Sequence, residues 1–334
     1  MQLRQQQVDQ FHKKRQYTSL YRQISVVTGA ASERGRIWPL IIFVFVWCTL
    51  VYNFIAYWTW CPNGWACVLG ALDYAGGVPV HMAAGMSALA YCFMLGRRQP
   101  VTHPEQDRPH NINNIFLGTA LSWFGWFGFN GASGLIASSR AVLACVVTNL
   151  AACTGGFTWC MLDYCLSKPK YKFTLFGFCM GSMAGLVCIT PASGFVGSAA
   201  PLVFGIGGST CVYFGRKIKI LLRIDDAFDI FAQHGVGGFV GCLLTGIFAE
   251  KYIPALDQVT IQGGWLDGHW IQFTYQLALA CKNRKTTEFY ICSFYSFSCG
   301  RCLEFSCYNS DSFCYEQNSW FNFTSDQGRR TARY

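Results

Sequence analysis

Polar and basic residues fill the first 36 positions, and then the chain turns apolar: Ile37 to Leu72 contains no Lys, Arg, Asp or Glu. A run of that length exceeds the ~20 residues a helix needs to cross a bilayer. Further apolar runs follow at short intervals, and the pattern predicts eight spans, at about 37–58, 74–95, 113–132, 139–164, 173–190, 195–215, 226–248 and 266–281. The first run is too long for a signal peptide and stands behind a polar leader. That leader is rich in Gln and has no strong amphipathic period, so disorder is its default state.

The connections alternate in charge. Arg97, Arg98 and Arg108 follow the second span, Lys168, Lys170 and Lys172 the fourth, Arg216, Lys217, Lys219 and Arg223 the sixth, and Lys282, Arg284 and Lys285 the eighth. The intervening loops hold no charge at 59–72 or 191–194, and in the seventh connection Lys251 is set against Glu250, Asp257 and Asp267. The positive-inside rule therefore puts the even-numbered connections and both termini in the cytosol.

Composition agrees: 52% of residues are hydrophobic and 13% charged, against about 25% charged in a soluble domain. The net charge of +9 is explained by these loops, so no nucleic-acid partner is expected; the lipid bilayer is the partner implied. Of 18 cysteines, most are scattered through the apolar region as small hydrophobes, and the rest crowd into the end of the chain. Cys299 and Cys302 form a CxxC without a second pair at zinc spacing, so no metal site is expected. Gly205, Gly207 and Gly208 lie inside an apolar span and do not read as a nucleotide loop. Gly177, Gly181 and Gly185, and again Gly237 and Gly241, have the spacing that lets membrane helices approach closely. With no nucleophile–base pair, no soluble cleft and no cofactor motif, an enzyme is not expected.

Two spans carry the chemistry. Asp73 precedes His81 by eight residues in the second span, and Asp226 precedes His234 by eight in the seventh. Five spans apart, they run in opposite directions, the pattern of an inverted repeat. Each Asp is placed to cap its own helix. At 1.5 Å per residue each imidazole then lies roughly 12 Å deeper than its Asp. Measured from opposite faces of a core about 30 Å thick, both reach the midplane, where the rings touch if the spans pack together. The alternative for each His is a core residue bonded to nearby backbone. Pro79, between Asp73 and His81, is expected to leave the carbonyl of Ala75 without its helical partner.

The third span ends in the aromatic run 121–133, near Trp60 at the end of the first. Trp60 as a cation-attracting face and Ser133 as an acceptor would make an outer cation vestibule. An interfacial aromatic belt explains the same residues equally well.

The segments LDYAGGVPVH, GWFGFNGAS, ITPASGF and FAQHGVGGFVGCLLTGIFA, in this order, resemble the signatures of the ammonium transporter family (Amt/Mep/Rh), with the fungal Mep members most similar. The resemblance covers about 28–280 and implies an all-α polytopic membrane protein: an inverted-repeat helix bundle of eleven spans, of which about eight are recognised here. It implies a plasma-membrane homotrimer that moves the ammonium ion or methylammonium through one pore per subunit. On that resemblance His81 and His234 match the paired pore histidines, Phe129 a gate phenylalanine, Trp60 and Ser133 the outer recruitment site, and Asp73 the acid beside it.

The ends depart from the family. The leader, 1–27, does not resemble it, three spans expected before 37–58 have no counterpart, and 281–334 reads as a Cys- and Phe-rich tail of intron or frame-shift character. The Asn322–Thr324 sequon there would face the cytosol and go unused. Transport of ammonium is the function expected; an ammonium sensor and a truncated fragment inactive by itself are the alternatives that these departures leave.

Overall fold

The structure is a computed structural model. It describes residues 26, 28–29, 37–95, 111–166, 173–222 and 224–282. The expectations for most of the leader, for Arg97, Arg98 and Arg108, for Lys168, Lys170 and Lys172, for Arg223, and for the tail with its CxxC and sequon lie outside the described residues.

Helices α1 (Ile37–Trp47) and α2 (Asn53–Trp60) join through a π-helical segment, Cys48–Tyr52, and form the first predicted span. A short α3 (Trp65–Leu69) follows, closed by Gly70 at φ 89°. The second span starts as a π-helical segment, Gly77–Met82, and continues as α4 (Ala83–Leu95). Helices α5 (Ile112–Gly131), α6 (Ser139–Leu166), α7 (Leu175–Ile189) and α8 (Ala200–Leu221) are the next four. The seventh is a π-helical segment, Phe231–Val236, running into α9 (Gly237–Phe248). After α10 (Tyr252–Ala255) the last is α11, residues 271–282. No strand occurs among the described residues. By length and composition Ile37–Leu69, Ser139–Leu166 and Phe231–Phe248 are long and apolar enough to cross a membrane, and Gly77–Phe93 and Leu175–Ile189 are shorter apolar helices.

Capping sets several boundaries. Asn111 accepts from the amides of Asn113 and Asn114 at the start of α5, and Thr174 from Gly177 at the start of α7. Helix α8 begins five residues later than its apolar run, because 190–194 form a turn and the Phe195 carbonyl accepts from the Glu250 amide at 2.8 Å. Pro201 then occupies the first turn of α8, where its missing N–H costs nothing. At its other end α8 runs on through Arg216, Lys217 and Lys219, since charge ends an apolar run without breaking a helix.

Small residues bring the helices together. A Cβ on Gly181 would strike the Gly155 carbonyl of α6, and one on Gly185 the Ala151 carbonyl; one on Gly241 would strike the Cys188 carbonyl of α7. Large apolar side chains instead point outward, among them Trp38 and Phe45 on α1, Leu121 and Phe124 on α5 and Phe157 on α6. A face of that kind suits lipid.

The eighth predicted span is helical from residue 271 to 282, the last of the described residues, behind a short 3-10 turn at Trp265–Asp267. The Lys282 ammonium ends 4.4 Å from the centroid of the Trp65 ring. Helix α11 is docked through two glutamines: Gln276 exchanges two hydrogen bonds with the Leu72 backbone, at 3.2 and 2.6 Å, and Gln272 donates to the Gly70 carbonyl at 2.9 Å.

Candidate functional site: a buried histidine pair

The two Asp–His segments are built alike. Asp73 Oδ1 accepts from the amides of Gly76 and Gly77 at 2.6 and 2.9 Å, and Oδ2 from Val78 at 2.8 Å. Asp226 Oδ2 accepts from the Phe231 amide at 2.8 Å. Each carboxylate thus caps a helix beginning four or five residues after it, and in both cases the first six residues are π-helical: GVPVHM in one, FAQHGV in the other. Wide turns of this kind recur at functional positions because they re-aim a side chain out of the α-helical register.

This changes two expectations. The depth estimate assumed α-helix from residue 74 onward, but 74–76 are irregular and His81 is only the fifth residue of its helix. Pro79 is the third residue of the same helix, in the first turn, where no intrahelical acceptor exists for an N–H. Ala75 lies outside the helix, so no carbonyl there loses a helical partner. The widened turn closes instead on Gly76, whose carbonyl accepts from both Val80 and His81 at 3.1 and 3.0 Å.

The imidazoles meet. His81 Nδ1 and His234 Nδ1 are 3.1 Å apart, with ring centroids at 5.1 Å and both side chains buried. For this contact to be a hydrogen bond one Nδ1 carries the proton and the other accepts it; the accepting ring, if neutral, carries its own proton on Nε2. Glycines permit the approach. A Cβ on Gly238 would stand 2.7 Å from the Gly77 carbonyl oxygen and 3.3 Å from His81 Cβ, and one on Gly85 would stand 2.5 Å from Gly235 Cα.

Aromatic rings cover the pair. Phe129 stacks on His81 at 5.5 Å and 19°, and Trp126 at 5.3 Å and 15°; Trp126 and Phe129 lie 5.4 Å apart. Trp126 Nε1 donates to Thr190 Oγ1 at 3.0 Å, which fixes the indole in this position. The sequence reading singled out Phe129 and missed Trp126. The spacing of three residues on α5, which puts both rings on one face, was the available signal.

Trp60, Ser133 and Asp73 are also buried. The Trp60 indole N–H donates to the Asp73 carbonyl at 2.9 Å, and Ser133 Oγ donates to the Phe129 carbonyl at 2.7 Å. The structure therefore joins Trp60 to Asp73, Ser133 to Phe129, and Phe129 to His81. Trp60, Trp126 and Phe129 share one buried cluster, unlike the outward-facing Phe124. An exposed belt does not describe them.

A profile of the Ammonium Transporter Family matches residues 3–295 of this sequence. The chain belongs to that family. As a family member it is 49% identical over 257 residues to Ammonium transporter 1 of Schizosaccharomyces pombe, covering 76% of this chain and 51% of that protein. To ammonium transporter MEP2 of Saccharomyces cerevisiae it is 44% identical, covering 77% and 52%. Among solved structures it superposes on Candida albicans Mep2 with a TM-score of 0.78 at 44% identity, covering 84% of this chain and 62% of that one. A structure described as a Sensor Amt Protein matches with a TM-score of 0.72 at 28% identity, covering 83% and 68%. The ammonium transporter family is a family of multi-pass membrane proteins, and the helical bundle described here has its fold. The chain spans about half the length of the curated relatives it matches, 51% of the S. pombe protein.

Proposed function

We propose that the chain carries ammonium across the plasma membrane, with methylammonium as its analogue, along a path through Trp60, Ser133, Phe129, His81 and His234. The observation that carries the reading is the contact of two buried imidazoles at 3.1 Å, one from each Asp–His segment. Polar groups at membrane depth are costly and mark pathways. A pair sharing one N–H presents both donor and acceptor to a small neutral amine.

Each remaining residue has a role that its contacts support. The Trp60 ring face attracts a cation. Ser133 spends its proton on the Phe129 carbonyl, so its oxygen is left to accept from ammonium. Asp73 has both carboxylate oxygens engaged by backbone amides, which suits a part in shaping the mouth rather than in binding the ion directly. Phe129 and Trp126, stacked over His81, exclude hydrated ions, so the ion transfers a proton to water at the outer mouth and passes as ammonia. We place both termini of the chain in the cytosol from the loop charges, and we propose assembly as a homotrimer, as the family resemblance implies.

The test is growth of ammonium-transporter-null yeast on low ammonium. Rescue by this chain, lost in the His81→Ala/His234→Ala double variant while the protein still reaches the membrane, supports transport. A membrane-localised chain that gives no growth sinks the transport reading in favour of a chain inactive by itself. A second reading, sensing, is favoured by the similarity to the Sensor Amt Protein. A signalling response that survives the double histidine substitution would select it.

A further inference from the structure

Arg140 is the second residue of α6, away from the histidine pair, and its side chain is 7% exposed. A positive charge at a helix N-terminus opposes the macrodipole, and a buried one needs compensation. Arg140 has it from several sides. Its Nε donates to the Gly194 carbonyl at 2.7 Å, and its terminal nitrogen lies 3.8 Å from Asp257 Oδ2. The guanidinium carbon stands 4.8 Å from the Tyr74 ring centroid and 5.1 Å from that of Phe195, which itself meets Tyr74 edge-on at 5.8 Å.

Tyr74 is what this arrangement holds. Its amide donates to the Pro191 carbonyl at 2.9 Å. Its ring lies so close to Gly194 that a Cβ there would enter it, and its hydroxyl oxygen is 2.8 Å from where a Cβ of Gly134 would stand. Tyr74 follows Asp73, whose carbonyl fixes the Trp60 indole; Gly134 follows Ser133. Tyr74 thus links the backbone that fixes Trp60, through Asp73, to the residue after Ser133, through its hydroxyl's approach to Gly134. We propose that Arg140 is a positioning residue that sets the affinity of the outer cation site by clamping Tyr74, and through it the Asp73 cap and Trp60. The proposal rests on the transport reading above for the identity of the cation.

The test compares the full chain with Arg140→Lys, which keeps the charge but not the planar fork, and Arg140→Met, which keeps only the stem. Two readouts are taken: hydrogen exchange at the amides of Gly76, Gly77 and Val78, and methylammonium uptake into liposomes. In Arg140→Met, exchange at those amides and the KM for methylammonium should each rise about tenfold, the factor given by losing ~1.4 kcal/mol of charge-assisted bonding. Vmax per folded molecule should stay within about twofold. Arg140→Lys should fall between, and decides the matter if Arg140→Met fails to fold. Faster exchange confined to 139–144 and 191–197, or a fall in Vmax at unchanged KM, overturns the proposal. If the unsubstituted chain takes up no methylammonium, the transport reading fails, and exchange at Gly76–Val78 alone decides whether Arg140 holds the mouth.

Discussion

Gly85→Ala separates the histidines without altering either side chain. Gly85 on α4 faces Gly235 of the opposite segment, and the added Cβ would stand 2.5 Å from Gly235 Cα and 3.0 Å from the His234 carbonyl carbon. Carbon atoms in contact sit about 3.5–4.0 Å apart, so the segments must part by about 1 Å. His81 lies one turn before Gly85, and His234 adjoins Gly235, so the parting falls on the ring contact. The Nδ1–Nδ1 distance of 3.1 Å then grows to about 4 Å, beyond the ~3.2 Å reach of an N–H hydrogen bond. Forcing a methyl into packed backbone costs about 1–3 kcal/mol. The assay is thermal unfolding in detergent together with methylammonium uptake, with Gly118→Ala as control, since a Cβ at Gly118 on α5 meets nothing within 4 Å. Gly85→Ala should lower both stability and uptake, while Gly118→Ala leaves both near the unsubstituted chain. Equal behaviour of the two variants would refute the claim that the Gly85–Gly235 approach creates the pair.

Two further outcomes follow from the contacts. Asp73→Asn should destabilise the chain by about 2 kcal/mol or more in detergent unfolding, because the charge is lost and an amide donor is set against the amides the two carboxylate oxygens now receive. Gln276→Leu should cost about 1–3 kcal/mol and speed exchange at the Leu72 amide, since Leu72 loses both bonds to the glutamine and Leu offers neither donor nor acceptor.

The sequence patterns reached the helices because membrane helices write themselves as long uncharged runs. Residues 37–60, 112–131 and 139–166 lie close to where apolarity alone put them. The histidine contact was legible for a related reason: equal Asp–His spacing in oppositely directed spans fixes relative depth. The start of α8 and the widened turns under His81 and His234 were not legible, because both depend on which backbone groups find partners across the fold. Gly76 serving two amides and Phe195 serving Glu250 cannot be read from local composition. Arg140 was hidden differently. A lone Arg beside an apolar run reads as a helix end, and only the packed fold shows it between Tyr74, Phe195 and Asp257. Trp126 was within reach, since its spacing from Phe129 already placed the two rings together.

The shared proton between the imidazoles is the central claim, and nitrogen NMR of the chain with labelled histidines tests it most directly. A scalar coupling between Nδ1 of His81 and Nδ1 of His234, abolished by His81→Ala or His234→Ala, is the result predicted. Two uncoupled imidazoles, each unaffected by removal of the other, would contradict it.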